Sequence, residues 1–131
     1  YLLEEFILER IESGNDIKIN KFDQNVLIHG HCHQKSLSSV SPAAFLLALP
    51  KNYSVDVIPS GCCGMAGSFG YEAEHYEVSM QVGELVLFPA VRKASNDTII
   101  AAAGTSCRHQ IFDGTKRKAL HPVEVLWEAV L

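Results

Sequence analysis

The sequence lacks any apolar run approaching the roughly 18–20 residues of a membrane-spanning helix, and no basic segment followed by an apolar one marks a secretion signal. Basic residues cluster only in the run TKRK at 115–118, within a chain whose net charge is −4. That run is too short for a nucleic-acid surface, and we expect it to form a solvated loop. These absences argue against membrane-spanning, secreted and nucleic-acid-binding proteins.

Cysteine is scarce, with only four residues in the chain: Cys32, Cys62, Cys63 and Cys107. The adjacent pair has Cα atoms about 3.8 Å apart, whereas a disulfide usually spans roughly 4.4–6.8 Å. Cys62 and Cys63 are therefore poor disulfide partners for each other. Without a secretion signal, thiolate ligands or catalytic thiols are better interpretations than structural disulfides.

The chain has 131 residues, of which 47% are hydrophobic and 20% charged, an ordinary globular composition. We expect residues 1–131 to form a single domain with one core. The sequence begins at Tyr1 rather than at a methionine, and its first segment already reads as a helix. We therefore expect a piece of a longer protein.

Predicted strands alternate with predicted helices along the chain. Apolar runs followed by glycine or polar loops predict three strands, in NVLIHGH, YSVDVIPSG and DTIIAAAGTS. Helices are expected over 2–13, from Ser41, over 72–94 with a break or kink at Pro89, from near Ser106 or Cys107 to before Gly114, and from Pro122. This alternation predicts an α/β fold with a short parallel sheet of about four strands flanked by helices.

Every cysteine follows the end of a predicted strand, in the spacing C-x29-CC-x43-C. The carboxyl ends of parallel strands meet at one edge of the sheet, where ligands bind in a crevice. We therefore expect the four thiols to converge in a cysteine crevice at that edge.

The stretch PSGCCGMAGSFG carries a glycine at every third position, from Gly61 through Gly64 and Gly67 to Gly70. Glycine allows positive φ, and successive N–H groups on such a turn form an anion-binding nest suited to thiolates. Inert buried cysteines, a redox thiol pair and a phosphate loop stay open, although the P-loop lysine is missing. Metal or iron–sulfur ligation is the favoured interpretation.

Histidines surround two of the cysteines. Alternation along an extended segment places His29, His31 and His33 on the side opposite Cys32, so they are not all expected to bind one ion. For each of them, and for His109, hydrogen bonding or loop packing is the simpler interpretation. We predict supporting contacts to the thiolates from a set comprising His31, His33, His109, Gly61 and Gly64. His75 on a helix surface and His121 at the last helix N-cap are expected to be structural.

The segments HCHQKSL, PSGCCGMAGSFGYEAEHYEVSMQVGE, LFPAVRKA, AAGTSCRHQI and HPVEVL together resemble the cysteine-rich CCG domain. This module is found in the C-terminal iron–sulfur part of FAD-linked D-2-hydroxy-acid dehydrogenases, in glycolate oxidase iron–sulfur subunits, in anaerobic glycerol-3-phosphate dehydrogenase and in heterodisulfide reductase. The resemblance implies iron–sulfur ligation by Cys32, Cys62, Cys63 and Cys107. Gln110 stands where the pattern has a fifth cysteine. Four thiolates suffice for a 4Fe–4S cluster, and also for zinc.

The resemblance further implies an electron-transfer role within a flavin-dependent oxidoreductase that oxidises a D-2-hydroxy acid. FAD would bind an upstream domain, and the partners would be FAD-binding and ferredoxin-like domains or subunits and an electron acceptor. No catalytic residue is assigned in this chain. We expect a cytoplasmic location, with any membrane contact made peripherally through partners. A structural zinc module for docking and a thiol–disulfide redox domain acting through Cys62 or Cys63 are the alternatives.

Overall fold

The computed structural model describes residues 3–14, 19, 23–30, 41–50, 52–65 and 71–130. Within these ranges the α-helices are α1 (Leu3–Glu12), α2 (Ser41–Leu47), α3 (Tyr76–Leu85), α4 (Leu87–Lys93), α5 (Thr105–Thr115) and α6 (Pro122–Val130), and a 3₁₀ turn covers Ala73–His75. The strands are β1 (Asn25–His29), β2 (Ser54–Val57), β3 (Ile99–Ala102) and β4 (Ala119–Leu120). No helix in the described part of the chain is long and apolar enough to cross a membrane.

The four strands form one sheet in the order β2-β1-β3-β4, and every pair is parallel. The predicted α/β class and the short parallel sheet are therefore confirmed. The chain passes from β1 to β2 on one side and then places β3 on the other side of β1. The strand order thus reverses between β1 and β3, and such a switch point opens a crevice at the carboxyl ends of the strands.

Helices cover both faces of the sheet because alternate strand residues point in opposite directions. Ile100 and Ala102 pack into a core with residues of α4 and α5, including Phe88 and Ile111. Ala101 packs into the other core with residues of α2 and α6. The site described below lies on the α4–α5 side of the sheet.

The predicted break in the long helical segment is present, but it lies at Val86, whose φ and ψ are −138° and −46°. Pro89 follows three residues later, in the first turn of α4. A proline there needs no N–H donor, while its ring disfavours helical backbone one turn earlier. The proline therefore separates two helices rather than kinking one.

The prediction that the helix containing Cys107 ends before Gly114 is wrong, because α5 continues to Thr115. Lys116, in the left-handed region at φ 63°, terminates it. Gly114 serves packing instead, since a Cβ atom there would lie 2.3 Å from Cζ of the buried Phe88.

From the sequence, the basic run at 115–118 is expected to form a solvated loop. In the structure, Arg117 of this run instead makes specific contacts with the backbone. The guanidinium of Arg117 donates hydrogen bonds to four backbone carbonyls, that of Val91 in the last turn of α4 and those of Ala94, Ser95 and Thr98 in the connection to β3. Arg117 therefore satisfies carbonyls at the carboxyl end of α4, which would otherwise lack intrahelical partners.

His121 caps α6 as predicted. Its Nδ1 accepts a hydrogen bond from the Val123 N–H at 3.1 Å, and its own N–H donates to Glu124 Oε1 at 3.2 Å. This reciprocal arrangement follows the logic of a capping box.

Candidate metal centre

Three segments meet at the carboxyl edge of the sheet, beside the switch point. His29 is the last residue of β1, Cys63 lies on the loop after β2, and Cys107 is the third residue of α5, which follows β3. The convergence of strand-end loops predicted from topology therefore holds for Cys63 and Cys107.

The side chains of His29, Cys63 and Cys107 form a buried cluster, with each residue at most 4% exposed. Each offers one ligand atom, and these three atoms lie within 4.8 Å of one another. Neither cysteine forms a disulfide. Buried thiols and an imidazole at such separations are a donor set that zinc and iron centres use.

The pKa of the Cys63 thiol is lowered to about 4. The largest cause is a hydrogen bond with Cys107, and burial opposes it by raising the pKa. Contact with the His29 ring and a hydrogen bond from the Met65 backbone lower the pKa further. The thiolate is the form that binds metals, so Cys63 is prepared for ligation near neutral pH.

The turn from Cys62 to Met65 directs backbone donors at sulfur. The N–H of Gly64 donates to Cys62 Sγ at 3.3 Å, and the Met65 backbone bonds to Cys63. Gly64 has a φ of +103°, which L side chains rarely adopt. A Cβ atom there would lie 2.1 Å from the backbone oxygen of Ser79, so both conformation and space require glycine.

Helix α5 positions Cys107 in its first turn, close to the positive end of the helix dipole. The neighbouring Arg108 fixes the entry to this helix, because its guanidinium donates to the carbonyls of Ala102 and Ala103 and to Thr105 Oγ1.

Gln110 is buried and links the site to α3. Its Nε2 donates to Cys63 O at 3.0 Å, to Ser79 O at 3.1 Å and to Ser79 Oγ at 2.9 Å. The amide therefore holds the backbone of the thiol-bearing turn rather than supplying a sulfur.

The other predicted site residues either lie outside the described part of the chain or stand apart from the three-residue cluster. Cys32, His31 and His33 lie outside the described residues. Cys62 is half-buried and is not part of the three-residue cluster, although it adjoins Cys63. His109 is exposed and its ring bonds to the Tyr71 hydroxyl at 2.8 Å. A Cβ atom at Gly61 would meet nothing within 4 Å, so space does not require glycine there.

His29 was not among the site residues predicted from the sequence. Its 1% exposure and the 2.7 Å hydrogen bond between its Nδ1 and Ser60 Oγ fit the expected structural role. Its place in the cluster depends on contacts with residues far along the chain. The available signal was a histidine ending an apolar strand that enters the crevice.

The fold and the cluster define a class: a parallel α/β domain with a buried, sulfur-rich site that could hold a metal. The donors fit a thiophilic metal such as zinc or an iron–sulfur cluster, because two thiols and an imidazole nitrogen are soft or borderline ligands. They do not fit calcium or magnesium, which prefer oxygen.

Known proteins similar to this chain are dehydrogenases or dehydrogenase subunits. A subunit of anaerobic glycerol-3-phosphate dehydrogenase from Escherichia coli K12 is 25% identical over 129 residues, which cover 98% of this chain and 32% of the relative. D-2-hydroxyglutarate dehydrogenase from the same strain is 30% identical over 102 residues, 77% of this chain and 10% of the relative. Its counterpart from Pseudomonas putida KT2440 is 40% identical over 67 residues, 51% of this chain and 6% of the relative.

These proteins are homologues of the chain, and the resemblance to dehydrogenases of these two kinds is confirmed. The chain spans about a third or less of the length of each relative. No family model and no solved structure matches it.

Proposed function

We propose that this chain is the iron–sulfur electron-transfer domain of a larger flavin-dependent oxidoreductase that oxidises a D-2-hydroxy acid. The observation that carries the proposal is the buried cluster in which the Cys63 thiolate meets Cys107. Such a pair is suited to a thiophilic metal. Cys32, Cys62, Cys63 and Cys107 are the thiol ligands we propose, and the group they hold would accept and release single electrons.

The relatives support the wider assignment. The D-2-hydroxyglutarate dehydrogenases support a D-2-hydroxy acid as the substrate of the whole protein. The match to one subunit of anaerobic glycerol-3-phosphate dehydrogenase supports a domain that works beside other subunits or domains. In this proposal FAD and a ferredoxin-like unit belong to those partners. The assembly is cytoplasmic, and any contact with a membrane is peripheral.

The test is anaerobic purification of the chain, followed by measurement of iron, acid-labile sulfide and zinc per polypeptide. Iron and sulfide together, with visible absorption that bleaches reversibly on reduction, would support the proposal. Stoichiometric zinc in a colourless protein would replace it with the structural docking module. A chain with neither metal that forms a reversible disulfide through Cys62 or Cys63 would favour the thiol–disulfide alternative.

Substitutions connect the metal to the cluster. Cys63→Ser and Cys107→Ser are each expected to remove most of the bound metal, because serine is a poor ligand for a thiophilic metal. Met65→Leu is the matched control, since Met65 is buried in the same core and a Leu–Met exchange conserves volume. Full metal loading in both serine variants would contradict ligation at this site.

A further inference from the structure

The imidazole of His29 is 1% exposed, and one of its two ring nitrogens has a clear hydrogen-bond partner. Nδ1 bonds to Ser60 Oγ at 2.7 Å. The buried Nε2 makes no hydrogen bond of good geometry among the described residues, although the His29 ring interacts with Cys63 and lowers the pKa of that thiol. Buried polar atoms are normally paired, so an orphaned nitrogen needs an explanation. A missing ligand on the Nε2 side is one such explanation.

The sulfur atoms of Cys63 and Cys107 lie close to the His29 ring. With Nδ1 engaged by Ser60, Nε2 is the nitrogen available to the cluster whose ligand atoms lie within 4.8 Å of one another. Around a tetrahedral metal with bonds of about 2.0–2.3 Å, donor atoms lie roughly 3.5–3.8 Å apart. Closing the cluster around an ion therefore requires each donor–donor separation to shorten by at most about 1.3 Å.

The hydrogen bond to Ser60 has the form expected beside a metal ligand. Histidines that bind metals usually engage their other ring nitrogen with a protein oxygen, which fixes the tautomer and the ring orientation. Ser60 is itself buried and lies three residues before Cys63. The same loop after β2 would thus orient one ligand and supply another.

We propose that His29 Nε2 is a metal ligand beside Cys63 and Cys107, so that the centre has mixed imidazole and thiolate ligation. The inference rests on the proposed function, because it requires that the chain hold a metal. His29 adds a nitrogen donor to the sulfurs of Cys63 and Cys107, and one further donor would complete tetrahedral coordination. A neutral imidazole in place of a thiolate makes the centre less negative, which raises its reduction potential.

The direct test needs no substitution. The chain is produced with ¹⁵N-labelled histidine and purified anaerobically, and pulsed electron paramagnetic resonance is recorded on the reduced iron–sulfur form. If the metal is zinc, ¹¹³Cd is exchanged for it and the ¹¹³Cd–¹⁵N coupling is measured by NMR. A directly bonded histidine nitrogen is expected in either form. A metal-loaded chain without that coupling would overturn His29 ligation and leave the proposed function standing, whereas a chain that binds neither metal would overturn both.

Variants then assign the nitrogen to a residue. His29→Cys is expected to retain metal, lose the histidine coupling and shift the reduction potential downward, while His109→Gln should keep the coupling because His109 is exposed beside Tyr71. Ser60→Ala should weaken metal affinity roughly 10- to 100-fold while leaving the coupling in place. Persistence of the coupling in folded, metal-loaded His29→Cys protein would assign the nitrogen elsewhere and overturn the inference.

Discussion

Gly64 and Gly61 flank the adjacent cysteines, yet their requirements differ. Gly64 combines a φ of +103° with a Cβ position 2.1 Å from a backbone oxygen, whereas a Cβ at Gly61 meets nothing within 4 Å. Gly61 also has no positive φ. Replacing each glycine separately therefore distinguishes the effect of strain at Gly64 from the general effect of losing a glycine in this turn.

We predict that Gly64→Ala destabilises the chain and reduces its metal content. Strained backbone alone costs on the order of 1–3 kcal/mol, and the clash with the Ser79 carbonyl adds to it because backbone must move. Urea unfolding of the metal-free chain and metal analysis of the loaded chain measure the two effects. Gly61→Ala is the control and should leave both nearly unchanged. Equal behaviour of the two variants would refute the proposed strain at Gly64.

The buried amide of Gln110 donates hydrogen bonds to Cys63 and Ser79 and so supports the turn that carries the thiols. We predict that Gln110→Leu lowers the free energy of unfolding by about 1–3 kcal/mol, because the carbonyls of Cys63 and Ser79 lose a buried donor. Asp113→Asn on the exposed side of the same helix is the control, with an expected change within about 0.5 kcal/mol. Denaturant unfolding of the metal-free proteins gives both values. No loss of stability in Gln110→Leu would mean that these hydrogen bonds contribute nothing net.

At the scale of elements, helices α3, α4 and α5 meet around the ring of Phe88. Cβ atoms at Gly83 in α3 and Gly114 in α5 would lie 2.4 Å and 2.3 Å from Phe88 Cζ. The two glycines thus allow both neighbouring helices to approach the fully buried ring. This packing fixes α5, which carries Cys107 and Gln110.

We predict that Gly114→Ala destabilises the chain, even though alanine is favoured over glycine in a helix by about 1 kcal/mol. Overpacking against Phe88 typically costs about 1–3 kcal/mol and should outweigh that gain. In the double variant Gly114→Ala/Phe88→Leu, part of the loss should be recovered, and a double-mutant cycle measures the coupling. Additive losses in the cycle would show that the two residues do not compete for space.

The same elements show how far the sequence predicts this fold. The strand–helix alternation was predictable because β1 and β3 are buried apolar runs bounded by loops. The end of α5 was not predictable from the sequence. Gly114 is needed for close packing against the Phe88 ring and does not terminate the helix. Strand β4 was not located either, since its two residues, Ala119 and Leu120, carry no periodicity and are defined by pairing with β3.

At the scale of the whole molecule, the sheet topology explains which part of the site was predictable. Parallel strands bring loops distant in sequence to one edge, so the meeting of Cys63 and Cys107 followed from alternation alone. His29 was missed because an orphaned nitrogen is a property of three-dimensional packing. Metal ligation by Cys32, Cys62, Cys63 and Cys107 stays a prediction.

The proposed role of the chain is that of an electron relay, with hydride transfer assigned to another part of the assembly. No dinucleotide fingerprint precedes a helix in its sequence, and its relatives carry two-thirds or more of their length outside the matched region. Hydride chemistry belongs to a cofactor such as a flavin, whereas an iron–sulfur cluster passes single electrons. The isolated chain should therefore undergo reversible reduction of its metal centre without oxidising a substrate.

We predict that the purified chain alone turns over no substrate, although its metal centre can be reduced chemically and reoxidised by an artificial acceptor. The chain is mixed anaerobically with that acceptor and with D-lactate, glycolate, D-2-hydroxyglutarate or glycerol 3-phosphate, with and without FAD, and acceptor reduction is followed. Chemical reduction and reoxidation of the same sample is the control showing that the centre is intact. Because the proposed function places the flavin on another domain or subunit, the substrates should leave the acceptor oxidised. Sustained turnover by the chain would require a catalytic role for the crevice that holds Cys63 and Cys107.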